Sequence, residues 1–241
     1  MELRIGHLYP DLMSIYGDRG NVLALSQRAR WRGIDVVVRP HTLGDTFDPD
    51  WADLWFFGGG QDQGQDLVGA DLAGANGSAL RRSIEGGAAV FSVCGGYQLL
   101  GREYVPEDGP AIPGLGVLDV TTRAGKERFV GNLLATSGTD TLIGFENHSG
   151  RTYLGPGATP LGQVVVGHGN NGEDKTEGAV QGRVIGCYCH GSALPKNPWL
   201  ADRLTGWALA RRYGEVALAL LDDTVELAAR DSAAEVARSR H

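Results

Sequence analysis

The sequence predicts an α/β fold with a mostly parallel central sheet flanked by helices, and extra antiparallel strands in its second half. Two observations carry this. Through the first hundred residues short apolar strands alternate with amphipathic helices, the order that puts helices on both faces of a parallel sheet. After Gly101 the texture changes to short, turn-bounded β-rich runs with few helical periods.

The elements follow in order. Residues 3–9 form an apolar first strand. A polar loop with Asp11, Gly17, Asp18 and Gly20 comes next, at a strand end where doubly wound sheets place their sites. Asn21 is the expected cap of a helix running to Arg32, with Val22, Leu25 and Ala29 inward and Gly33 as its stop. Residues 34–38 are β-branched and read as a strand. The run Leu54-Trp-Phe-Phe57 reads as another and opens into Gly58-Gly-Gly60. A helix is expected over residues 67–85, interrupted near 74–77. Residues 88–93 are almost wholly apolar, as a strand buried on both faces requires. Later strands are expected at 116–120, 129–134, 141–145, 162–166 and 183–188, with a polar turn at 170–177. Pro198 opens a helix over 199–213, with Leu200, Leu204, Trp207 and Ala208 as its stripe. A last helix over 216–237 would bury Leu220, Val225, Leu227 and Ala228. With no repeat and no linker, residues 1–241 read as one domain, a core of about 3–213 plus a C-terminal helix over 214–238.

Bulk properties narrow the function. The 241 residues carry a net charge of −7 and no lysine or arginine run, which argues against a nucleic-acid footprint. No apolar segment approaches the ~20 residues that span a bilayer. Three cysteines, Cys94, Cys187 and Cys189, and an N-terminus unlike an export signal point to a reducing, cytoplasmic setting. No Gly-x-x-x-x-Gly-Lys-[Ser/Thr] loop occurs, so the chain is not expected to hydrolyse ATP.

The chemistry is expected at Cys94. A strand, a sharp turn with Gly95 and Gly96, and a short helix put its thiol at an apex, the geometry of a nucleophile elbow. Three features converge there. The first is Gly58-Gly-Gly60, whose backbone N–H groups would join that of Gly95 in an oxyanion hole. The second is His190, the expected proton carrier, with His148 as the second candidate among six histidines. The third is Cys187-x-Cys189, whose alternation with Tyr188 and His190 makes a shared metal awkward.

Val93-Cys94-Gly95-Gly96-Tyr97-Gln98, the glycine loop and the late Tyr188-Cys-His190-Gly191 together resemble the class I glutamine amidotransferases of flavodoxin-like fold, in the cobyric-acid-synthase-like branch. Three blocks sharpen the resemblance, toward the glutaminase subunits of lipid II isoglutaminyl synthases. They are His7-Leu-Tyr-Pro-Asp-Leu-Met-Ser-Ile-Tyr-Gly-Asp18, Phe56-Phe-Gly-Gly-Gly-Gln-Asp62 and Gly144-Phe-Glu-Asn-His-Ser-Gly-Arg-Thr152. The resemblance implies Cys94 as nucleophile toward the glutamine side-chain amide and His190 as general acid and base. It implies backbone amides at Gly60 and Gly95 for the oxyanion, Arg128 holding the glutamine carboxylate, and Gln98 touching substrate. It implies no cofactor in this chain. ATP and Mg²⁺ would sit on a separate Mur-ligase-like subunit (MurT), which takes the ammonia to the D-glutamate of lipid II at the cytoplasmic face of the membrane.

The chain departs from the pattern at two points. Many relatives have Glu two residues after the histidine, but here Gly191-Ser192 follows, so the carboxylate of a triad is expected from the partner, or water replaces it. Ser92 stands where many relatives have Gly. Other readings remain: another acceptor of the cobyrinate kind, a non-catalytic subunit that keeps the fold, or a cysteine hydrolase. The last commonly has His after its nucleophile, where this chain has Gly95.

Overall fold

The computed structural model describes residues 1–191 and 193–239, with only the backbone at Asp62. Ser192, Arg240 and His241 lie outside the described residues.

One sheet has the strand order β11-β12-β4-β3-β1-β2. Its strands are β1 (Glu2–Leu8), β2 (Asp35–His41), β3 (Leu54–Phe57), β4 (Ala89–Val93), β11 (Ala179–Gln181) and β12 (Val184–Cys187). All neighbours are parallel except β11, which runs antiparallel to β12. Every residue of β3, β4 and β12 is buried, as apolar runs covered on both faces require. At the opposite edge β2 buries only His41 fully, and Pro40 there costs no ladder hydrogen bond.

Helix α1 (Arg19–Trp31) packs Val22, Leu25 and Ala29 inward, as the sequence requires. Its start differs from expectation. Asp18, not Asn21, precedes the first turn, and Asn21 is buried with its side-chain oxygen accepting the Leu194 N–H at 2.9 Å. The interruption expected near 74–77 is present, at Ala73 and Gly74, and separates α2 (Asp62–Leu72), which starts five residues earlier than expected, from α3 (Ala75–Glu85). After β4 comes α4 (Gly95–Leu100), and α6 (Pro198–Tyr213) follows the short α5 (Ala193–Lys196).

The second sheet is organised by a hairpin, β7 (Val120–Ser137) with β8 (Asp140–Leu154), joined by β5 (Glu103–Val105), β6 (Ile112–Pro113), β9 (Gly162–Val166) and β10 (Thr176–Glu177). The strand expected at 116–120 is absent, and β7 begins where that run ends. The strands expected at 129–134 and 141–145 are parts of two much longer ones, because the hairpin passes through polar stretches whose backbone pairing the apolar pattern does not report.

The C-terminal region is the largest correction. Residues 214–223 form no helix, and α7 (Thr224–Ser239) buries only Ala234 and Ala237. These pack with Leu134, Ile143 and Val166 on the outer face of the hairpin. The expected stripe faces out, with Leu220 98% and Val225 77% exposed. Polar anchoring overrides it. The buried Arg28 binds Asp202 at 2.9 Å and Asp223 at 2.5 Å, and Arg32 donates to the Ala219 carbonyl, so the chain is held extended up to the helix start.

Candidate active site

Strand β4 is stopped hard. The Cys94 N–H is held by the Cys187 carbonyl of β12 at 2.9 Å, and its own carbonyl accepts the Gln98 N–H at 3.0 Å. Between these bonds the backbone turns through φ 51°, ψ −110°, a conformation that costs a non-glycine residue energy and persists only when its surroundings impose it. The thiol therefore stands at the strand end, at the start of α4. Ser92, one of the two departures, is accommodated without opening the turn: its hydroxyl donates to the Ile185 carbonyl at 3.2 Å.

His190 reaches Cys94 because β12 lies beside β4 in parallel register, Cys187 against Val93. Three residues further on, His190 leaves the first sheet and pairs with Phe145 of β8, its N–H donating to the Phe145 carbonyl at 2.7 Å. The hairpin of the second sheet thus fixes the backbone that carries the imidazole. The ring is fully buried, with the Tyr16 ring edge-on at 5.1 Å between centroids.

The carboxylate expected from outside the chain is present within it. Asp18, buried at the end of the β1–α1 loop, lies 3.2 Å from His190 Nδ1 through one oxygen. Its other oxygen accepts the Gly59 N–H at 2.7 Å. This fixes the tautomer: Nδ1–H points at Asp18, leaving Nε2, which makes no hydrogen bond among the described residues, for proton exchange. Burial pushes the imidazole pKa down. The neighbouring Cys94 sulfur, followed by Asp18, more than reverses this and raises it to about 10. The imidazole accordingly carries positive charge at neutral pH and favours negative charge developing on the sulfur beside it.

The glycine loop packs against this group with no room to spare. A Cβ at Gly59 would lie 2.8 Å from His190 Cε1 and 3.2 Å from Cys94 Cβ, so only glycine fits. Because the Gly59 N–H is committed to Asp18, it is removed from the expected oxyanion donors. Gly60 and Gly95 keep theirs unbonded among the described residues.

Arg128 reaches the cleft on a bulge. Residues 125–128 of β7 stand opposite Ser149 alone, which throws the strand outward. Arg128 donates to the Asn147 side-chain oxygen at 2.5 Å and, with Tyr16 and Gly60, lines a cleft of about 530 Å³. Gln98 is placed differently from expectation. Its amide is buried between Gln65, which donates to it at 2.9 Å, and the Tyr188 hydroxyl, to which it donates at 3.1 Å. His148, the second candidate, stacks on Tyr188 at 3.5 Å and is bonded to the Gly150 carbonyl. Cys187 and Cys189 are free and buried, and burial raises both thiols far above the ordinary value, which disfavours the thiolate a metal would need.

The sequence reading missed Asp18 and Tyr16 as site residues. The signal for Asp18 was present, a polar residue at a strand-end loop, but nothing in the sequence ranks it above Asp11.

An elbow thiol, a cationic imidazole and an orienting carboxylate form a set suited to attack on an amide carbon and protonation of its nitrogen. The comparisons agree. Residues 4–198 match the CobB/CobQ-like glutamine amidotransferase domain. The chain is 43% identical over 217 residues to subunit GatD of the glutamine-hydrolysing lipid II isoglutaminyl synthase of Streptococcus pneumoniae, covering 89% of this chain and 83% of that one. It is 42% identical over 214 residues to the same subunit of Staphylococcus aureus, covering 88% and 86%. Among solved structures, a glutamine amidotransferase aligns with a TM-score of 0.58 at 19% identity, over 85% of this chain and 98% of that one, a likeness of fold. No described helix is long and apolar enough to cross a membrane. With the domain match spanning most of its length and two relatives above 40% identity over nearly all of it, this chain belongs to the CobB/CobQ-like glutamine amidotransferase family.

Proposed function

We propose that this chain is the glutaminase subunit of a lipid II isoglutaminyl synthase. The sulfur of Cys94, as a thiolate beside the protonated His190, attacks the side-chain amide carbon of L-glutamine, the carbonyl π electrons move onto oxygen, and the N–H groups of Gly60 and Gly95 receive the oxyanion. As the tetrahedral intermediate collapses, His190 gives its Nε2 proton to the nitrogen, the C–N bond breaks and ammonia leaves a γ-glutamyl thioester. His190 then takes a proton from water as the water oxygen attacks the thioester carbon. Collapse of the second tetrahedral intermediate breaks the C–S bond, releasing glutamate, whose carboxyl loses its proton to solvent, and returning the Cys94 thiolate beside the protonated His190. Asp18 holds the imidazole throughout. Arg128 pairs with the α-carboxylate of glutamine from the cleft rim, where a guanidinium matches a carboxylate bidentately.

The ammonia passes to a Mur-ligase-like subunit of the MurT kind. That subunit carries ATP and Mg²⁺ and amidates the α-carboxyl of D-glutamate in the lipid II stem peptide to D-isoglutamine. This chain works in the cytoplasm and meets the lipid-linked acceptor through that partner.

The observation that carries the glutaminase reading is the set Cys94, His190 and Asp18 at one sheet edge. The acceptor rests on the likeness to the two GatD subunits. Glutamate release from glutamine, measured on the purified chain with and without a co-expressed Mur-ligase-like protein, tests the first. Mass spectrometry of the stem peptide, for exchange of the α-carboxyl for an amide, tests the second. No glutamate under either condition overturns the hydrolase. Glutamate without an amidated stem peptide overturns the acceptor alone.

A further inference from the structure

A cavity of about 420 Å³ lies between α1 and the strands β1 and β2, with Asp11 and Ser14 of the β1–α1 loop in its lining and neither Cys94 nor His190. Two polar atoms on its lining residues are unexplained. The His7 side chain, on a residue 6% exposed, leaves Nε2 without a partner. The Ser26 hydroxyl, on a residue 3% exposed, is likewise unpaired. Buried donors without partners are uncommon and ask for a ligand or water.

The charge of the lining points to the ligand. Arg19 and Arg30 line the cavity, both are exposed, and neither forms an ion pair among the described residues. Asp11 is the one acid of the lining, so two guanidiniums stand against one carboxylate in a chain whose net charge is −7. The two arginines are eleven residues apart, roughly 16 Å along the helix at 1.5 Å per residue. Spacings of eleven and seven residues are close to whole numbers of helical turns, so Arg19, Ser26 and Arg30 share one face of α1, and all three line the cavity. His7 is held neutral, its pKa depressed to about 4 by burial and then by Arg19, so at neutral pH its ring adds no charge and can donate one N–H.

We propose that this cavity is an oxyanion site for a phosphate or phosphate monoester, gripped by Arg19 and Arg30 and hydrogen-bonded by Ser26 and His7. Guanidiniums pair bidentately with phosphate oxygens, and a hydroxyl and a neutral imidazole N–H supply the remaining donors. The site is separate from the glutamine cleft and does not depend on the glutaminase reading.

Calorimetric titration of the full chain with inorganic phosphate, and separately with β-glycerophosphate, at constant ionic strength tests it. Saturable one-site binding is expected, weakened at least tenfold in Arg19→Gln and in Arg30→Gln, and unchanged in Arg81→Gln, which lies outside the cavity. Because both arginines are exposed, these variants should keep the wild-type thermal unfolding profile, and Ser26→Ala provides a further weakened variant. Vesicles of phosphatidic acid, whose headgroup is a phosphate monoester, against phosphatidylcholine as control, identify the source. Arginine-dependent binding to the anionic vesicles, with neither soluble ligand bound, assigns the oxyanion to a lipid headgroup. Absence of saturable binding to all three, or binding undiminished in both arginine variants, overturns the site.

Discussion

His7 and His190 are both buried at the carboxyl edge of the same sheet, and both feel the field of Asp18, yet their protons behave oppositely. Burial depresses both. At His7 the largest charge effect comes from Arg19, which adds to the depression and leaves the pKa at about 4. At His190 the Cys94 sulfur and the directly bonded Asp18 oppose burial and carry the pKa to about 10. Depth alone does not make a buried histidine an acid, a base or a spectator. The partner within hydrogen-bond range does.

The sharpest way to break this comparison is to remove one member of the His190 pair. Cys94→Ala and His190→Ala should each lower glutamine hydrolysis by at least about 10³-fold, since nucleophile and base act as a unit. Cys94→Ala also tests the electrostatics separately. With the sulfur gone, the His190 imidazole resonance, followed by NMR, should titrate well below pH 10. A titration unmoved by the substitution would mean that Asp18 alone holds the charge. Asp18→Asn should cost about 10²- to 10⁴-fold in kcat, because Asn can still accept the Gly59 N–H but no longer stabilises the imidazolium. If the loss disappears when the partner subunit is bound, a carboxylate from that subunit performs the role instead.

Arg128 gives a smaller effect of another kind. Its guanidinium is exposed at the cleft rim and steadied by Asn147, remote from the breaking bond. Arg128→Ala should raise KM for glutamine about 10- to 100-fold with kcat nearly unchanged, the signature of binding lost equally from ground and transition states. A fall in kcat with KM constant would remove it from carboxylate recognition.

The first half of the fold was legible because buried parallel strands and their helices carry strong patterns: Leu54-Trp-Phe-Phe57 and the run into Cys94 appear where expected. Cys94 and His190 were legible for a related reason, since parallel neighbours end at one edge. Asp18 was not, because the contact that selects it spans 172 residues and depends on the loop turning back at Tyr16 and Gly17, both at positive φ. Nor were the hairpin and the C-terminal helix. Strands β7 and β8 hold together by backbone pairing through polar segments, and the stripe from Leu220 to Ala228 was apolar without being buried. Periodicity reports which residues are able to face a core, but the Arg28 ion pairs with Asp202 and Asp223 decide where this segment lies.

The smallest effect changes no catalytic constant and concerns the other histidine. Because the folded-state pKa of His7 lies near 4, below the unfolded value of 6.5, the unfolded chain binds a proton there that the folded chain refuses as pH falls between these values. Stability is therefore lost toward acid across this window, by up to about 3 kcal/mol at roughly 1.4 kcal/mol per pH unit. His190 has the opposite sign: its contribution is complete below pH 6.5 and is lost as pH rises toward 10. Urea unfolding of wild type and His7→Gln at pH 6.5 and pH 4.5 isolates the acid limb, because every other titrating group is common to both. The variant should lose less stability over that interval, by about 2 kcal/mol. Equal losses would mean that the His7 ring takes up its proton in the folded chain as readily as in the unfolded one, and the contrast between the two histidines would then reduce to His190 alone.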